Sequence, residues 1–110
     1  MSLINKQAQF ATAIGRLLVW CADNNHTTVT FGDAYRDPRL HGAMGEKKAY
    51  GAANSVHKLR LAVDLNLIIN GKLAQPADYA PLHDYWDTLG GAERIVNDMN
   101  HFSFEHNGFR

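Results

Sequence analysis

Cysteine is almost missing from this chain of 110 residues: Cys21 is the only one. An internal disulfide is therefore excluded, and so is any cysteine-based metal motif. No hydrophobic run is long enough to span a bilayer. The N-terminus, MSLINKQAQF, lacks both a continuous apolar core and a cleavage site, so no signal peptide is expected. Neither sign of charge is in excess, since 11 basic and 11 acidic side chains cancel. No basic excess therefore supports nucleic acid or acidic lipid as the main partner. Internal repeats and low-complexity segments are missing as well. The expectation is a chain made in the cytoplasm, with no nucleic-acid partner and no membrane insertion, working as a monomer.

What is present reads as a globular protein, 45% hydrophobic and 20% charged, with length for one domain over residues 1–110. From about Leu3 to Asp23 the period is helical, with Phe10, Ile14, Leu17, Leu18 and Cys21 on one stripe. NNHT ends this helix, and TTVTFG reads as a short strand with Val29 and Phe31 on one face. Residues 33–55 are rich in glycine and charge and have no clean period. A loop of this length in a small domain is usually functional. LAVDLNLII then alternates, with Leu61, Val63, Leu65 and Leu67 on one face and Ala62, Asp64 and Asn66 on the other. Asn70-Gly71 is a hairpin signal, because both residues tolerate positive φ. PADYAPLHDYWDTLGG predicts a helix with Leu82, Tyr85, Trp86 and Leu89 inward and Gly90 as its stop. HFSFEH alternates again, with Phe102 and Phe104 opposite His101, Ser103 and Glu105. The order predicts an α+β fold, a small antiparallel sheet flanked by helices.

Six histidines are available: His26, His41, His57, His83, His101 and His106. His57 and His101 each stand beside a strand-like run and near an acid. A catalytic zinc needs three protein ligands from N and O donors, with a fourth position open. His57, Asp64 and His101 would supply that set. The step from His57 to Asp64 is odd, so in one flat strand they would face opposite ways. A turn between Lys58 and Arg60 must intervene if both hold one ion. Asp98 precedes His101 by three residues, again the wrong parity, but NDMN is turn chemistry and a bend would swing Asp98 toward the same cavity. His106 is the rival third ligand, although its step from His101 puts it on the other face. Glu105 shares the His101 face. Trp20, Tyr85 and Trp86 are expected in the core or a cleft wall, and Lys47, Lys48 and Tyr50 on an exposed loop. His26, His41 and His83 receive no functional role.

Taken together, these segments resemble the M15 zinc peptidases. SVHKLRLAVDLN resembles their Ser-x-His-x6-Asp motif, and DMNHFSFEH is similar to their closing acid-x-x-His-Phe motif. VTFGDAYRDP looks like their early strand that ends in an arginine. YWDTLGG looks like the phage-type members, the L-alanyl-D-glutamate endopeptidase endolysins. The resemblance runs from about Gln9 to the end. It implies a fold of the D-Ala-D-Ala carboxypeptidase/Hedgehog-like type and a zinc held by His57, Asp64 and His101. It also implies Asp98 as general base and acid, Arg36 holding the scissile carbonyl or a substrate carboxylate, and Ser55 orienting substrate. The implied substrate is a peptidoglycan stem peptide, cut between L-alanine and D-glutamate by an enzyme that reaches the cell wall after membrane failure. A D-Ala-D-Ala carboxypeptidase or dipeptidase would use the same metal site, and a non-catalytic wall-binding domain could keep zinc as a staple. Two departures stand out. Many members have glycine three residues after the first ligand, where this chain has Arg60. The segment GAERIVN is short and lacks the Trp-Gly-Gly of many phage relatives.

Overall fold

The computed structural model describes residues 1–24 and 28–110. The expectations for His26 and for a strand start at Thr27 lie outside the described residues. Helix α1, Leu3–Asp23, begins where the Ser2 hydroxyl accepts the Asn5 amide proton at 3.3 Å, the usual way to satisfy a free amide of the first turn. It buries Phe10, Ala13, Ile14, Leu17 and Cys21, the stripe that the periodicity predicts. Burial pushes the Cys21 thiol up to about 11, so it stays protonated and unreactive.

The sheet is organised on one long strand. Strand β1 is Thr28–Phe31 and β2 is Ala62–Ile69. They pair antiparallel, with Thr28 opposite Ile68 and Phe31 opposite Leu65. Val29 is half-buried, but Phe31, expected on the same face, is exposed. Strand β3, Lys72–Leu73, follows Asn70 and Gly71, whose φ angles of 52° and 76° give the predicted two-residue turn. The last strand pairs with the first half of β2. It is β4, His101–Ser103, with Ala62 opposite Ser103, Val63 opposite Phe102 and Asp64 opposite His101. The result is a small antiparallel sheet with helices, an α+β protein as expected.

The long segment after β1 is not structureless. It contains a single helical turn, α2 at Pro38–His41, capped by the Asp37 carboxylate. Its middle is tied down by Lys58, which is only 4% exposed and donates to the carbonyls of Ala43, Glu46 and Ala53 at 3.1, 2.6 and 2.9 Å. Three carbonyls saturate the three ammonium protons, which is what lets this charge be buried.

The second helix is shorter than the sequence predicts. A 3₁₀ turn at Pro76–Tyr79 precedes α3, Ala80–Thr88, and Pro81 in its first turn has no amide proton to continue an earlier helix. Leu82 and Trp86 are fully buried, Tyr85 and Leu89 are half-buried, and Gly90 closes the helix at φ 83°. His83 is a packing residue. Its Nε2 donates to the Met99 carbonyl at 2.7 Å, its ring stacks on Phe102 at 4.3 Å, and burial holds its pKa below the ordinary value. Around Trp86 the core gathers Leu17, Leu61, Leu65 and Phe102. The chain crosses closely at Gly91, where an added Cβ would lie 2.1 Å from the indole nitrogen of Trp86. That nitrogen donates to the Ser103 carbonyl at 3.1 Å and is not free to move aside. Gly91→Ala is expected to cost at least about 1–3 kcal/mol, the usual penalty for overpacking. Urea unfolding measures this, and an unchanged midpoint would mean that Trp86 yields easily.

Candidate metal centre

The first site residue is placed by a turn. The Ser55 hydroxyl accepts the His57 amide proton at 3.2 Å and starts a 3₁₀ turn over Val56–Leu59. Arg60 ends it in the left-handed region at φ 55°, ψ 37°. This is the turn that the parity of His57 and Asp64 demands. A side chain in this conformation costs energy that glycine would not. Here the Arg60 guanidinium lies over the Tyr35 ring at 3.9 Å, a cation–π contact that offsets part of that cost.

The ring of His57 is fixed from behind. A carbonyl can only accept, so Nδ1 donates to Ala34 O at 2.6 Å. In the neutral ring Nε2 then carries a lone pair, and it faces Asp64 Oδ1 at 3.2 Å. Two acceptors therefore point at each other across a small gap. His57 is 1% exposed, and neither Nε2 nor Oδ1 has a hydrogen-bond partner among the described residues. A cation between them resolves the conflict, either a second ring proton or a metal ion.

Strand register adds the third group. The amide of Asp64 donates to Asp33 O at 2.7 Å and its carbonyl accepts from Gly32 N at 2.8 Å, both away from β4. Asp64 and His101 thus form a non-hydrogen-bonded cross-strand pair, the kind whose side chains sit closest. His101 Nδ1 lies 3.5 Å from Asp64 Oδ1, and the His57 and His101 rings are 5.0 Å apart. One ligand atom from each of His57, Asp64 and His101 falls within 4.8 Å of the others, a group that could hold a metal ion. Burial disfavours the Asp64 charge, but His101 and His57 rings that carry a second proton outweigh it and hold this carboxyl well below the usual range. Two imidazoles and a carboxylate are donors that divalent transition ions accept, zinc and iron among them.

The other predicted residues gather beside this group. NDMN does bend: Asp98 N–H donates to Ile95 O, and His101 N–H to Asp98 O at 3.0 Å. The Asp98 carboxylate is 52% exposed and lies 3.8 Å from His101 Nδ1. Ser55 accepts from Arg36 Nη1 at 3.1 Å as well as from His57. Arg36 is more committed than a free substrate clamp. Its Nε donates to Asp33 at 3.1 Å, its Nη2 lies 3.9 Å from Asp64, and its amide donates to His57 O at 3.1 Å. Tyr50, expected on an exposed loop, donates its hydroxyl proton to the same Asp33 oxygen. That bond and Arg36 hold the Asp33 carboxyl below its ordinary value against a smaller effect of burial. Arg36→Ala is expected to destabilise the fold by about 1–3 kcal/mol, because it strands hydrogen-bonded groups of Asp33 and Ser55. Denaturant titration checks the cost, and a variant as stable as the parent would mean that these contacts contribute nothing.

His106 and Glu105 lie outside the group. His106 Nδ1 is 3.3 Å from Lys6 Nζ, and the Glu105 carboxylate accepts from Gly108 N. His41 is buried with its ring edge-on to Tyr50 at 5.0 Å. A cleft of about 410 Å³ runs along the site, lined by Arg36, residues 52–55, His57, Ile95, Asp98, His101, Phe109 and Arg110. A larger hollow of about 820 Å³ near Lys6, Gly90 and His106 contains none of the three grouped residues. The sequence reading missed Lys58, Asp33, Phe109 and Arg110. Only the Asn107-Gly108 turn signal could have drawn attention to the last two. No family model, no curated protein and no solved structure matches the chain.

Proposed function

We propose that the protein is a zinc peptidase of the M15 type, an endolysin-like enzyme that cuts the peptidoglycan stem peptide between L-alanine and D-glutamate. The observation that carries this reading is the meeting of His57, Asp64 and His101 beside an exposed acid, Asp98, with His57, His101 and Asp98 on the wall of one cleft. The motifs resembling the family supply these same four residues, from segments far apart in the chain. A purely structural site would need the ligands but would have no use for Asp98.

His57, Asp64 and His101 would hold the zinc. When bound, the ion supplies a Lewis acid that brings the pKa of water down to about 7 and polarises a carbonyl. Asp98 accepts the proton from the water that attacks the amide carbon, then delivers it to the leaving nitrogen as the C–N bond breaks. The products are a carboxylate on the alanine and a free amine on the glutamate. Arg36 and Ser55 brace the His57 turn behind the cleft wall. No described helix is long and apolar enough to cross a membrane, which fits an enzyme that meets the wall from the aqueous side.

Purified protein incubated with peptidoglycan should release new amino-terminal glutamate and new carboxy-terminal L-alanine, identified by mass spectrometry. A chelator should stop the release. Freed D-alanine instead would assign the carboxypeptidase bond to the same site, and no new termini at all would remove the peptidase reading.

A further inference from the structure

Two arginines line the cleft, Arg36 and Arg110, and they differ in what their side chains already hold. Arg36 is engaged by Asp33 and Ser55 and faces Asp64. The ion pairs among the described residues engage Arg36, Arg39 and Arg94 but not Arg110. Arg110 is exposed, and its guanidinium is the uncommitted cation of this cleft.

Its position is built by the fold. His106 and Phe109 exchange both backbone hydrogen bonds, at 2.8 and 3.0 Å, around Asn107 and Gly108. Those two residues have φ angles of 51° and 84°, the signature of a tight two-residue reversal. The Glu105 carboxylate accepts the Gly108 amide proton, and Lys6 reaches His106 from α1. The chain beyond β4 is thereby turned back, and Phe109 and Arg110 join the wall that also carries Asp98 and His101.

We propose that Arg110 is the receptor for a substrate carboxylate next to the scissile bond. The proposal rests on the peptidase reading above and deepens it. When D-glutamate continues a peptide through its side chain, the carbon bearing the scissile nitrogen carries a free carboxylate. A permanently charged planar fork matches such a carboxylate in two hydrogen bonds. Arg36, expected from the motif to serve this purpose, has its nitrogens directed at the protein. Arg110 therefore sets the preference for an acidic residue on the amine side of the cut, and the exposed Phe109 beside it flanks that residue with apolar surface.

The test is calorimetry on the full, untagged, zinc-loaded chain carrying Asp98→Asn to slow turnover. The probes are N-acetyl-L-alanyl-γ-D-glutamyl-L-lysine amide, with the glutamyl α-carboxylate free, and the same peptide with that carboxylate amidated. The acid should bind at least about tenfold more tightly than the amide. Adding Arg110→Ala should abolish that preference while leaving zinc content and amide affinity unchanged, and Arg110→Lys should restore part of it. Equal affinities in the parent, no binding of the acid, or an undiminished preference in Arg110→Ala overturns the proposal. Cleavage of the acid peptide by the wild-type chain is scored separately. Arg110-dependent binding without cleavage would leave this assignment standing and sink the peptidase reading.

Discussion

Asp98→Asn is expected to bind zinc and to unfold at the parental midpoint, yet to cleave peptidoglycan about 10²–10⁴-fold more slowly, the usual contribution of general acid–base catalysis. The amide has nearly the shape of the carboxylate but cannot take a proton from water. Little else should change. The turn that holds Asp98 is made by backbone bonds to Ile95 and His101, and the side chain is half in solvent, 3.8 Å from His101. Initial rates of release of free amino termini, with zinc content measured on the same sample, separate chemistry from metal loss. A parental rate would make Asp98 a turn residue. Glu105 is badly placed to replace it, because it lines the hollow beside His106 and not the cleft that holds Asp98.

Stripping the metal is expected to lower the melting temperature by more than about 15 °C. An ion that binds only the native state at about 1,000 times its Kd adds about 4 kcal/mol, and a domain of this size shifts by about 4–8 °C per kcal/mol. The three proposed ligands come from the turn after Ser55, from β2 and from β4, so an ion held by them would tie the last strand to the centre of the sheet. Without it, His57 Nε2 and Asp64 Oδ1 face each other unpaired in the interior. His57→Ala should remove the zinc and lose most of the same stability. Differential scanning calorimetry before and after chelation, with removal verified by elemental analysis, checks the shift. Coincident melting curves would show that nothing holding the fold had been bound there.

Much of this was legible because it is local. The period of two places Asp64 on the strand face opposite Leu61, Val63, Leu65 and Leu67, all four of which enter the core, as Ala62 on the Asp64 face also does. Parity alone demanded a reversal between His57 and Asp64, and the left-handed Arg60 provides it. What was not legible depends on partners distant in sequence. The register that sets Asp64 opposite His101 is fixed by core packing of Val63 and Phe102, which no local pattern encodes. Lys58 reads as one more charged loop residue until the carbonyls of Ala43, Glu46 and Ala53 are seen converging on it. Arg36 reads as free for substrate until Asp33, Ser55 and Tyr50 close around it. Asn107-Gly108 carries the same turn chemistry as Asn70-Gly71. No second strand-like run follows it, only the single bridge from His106 to Phe109, so it carries no hairpin signal in the sequence.

We propose that one zinc is held among His57, Asp64 and His101, and anomalous scattering at the zinc edge from crystals of the zinc-loaded protein tests this most directly. The account predicts one strong peak per chain, about 2.0–2.2 Å from His57 Nε2, Asp64 Oδ1 and His101 Nδ1. A peak at His106 with none between these three side chains would contradict it.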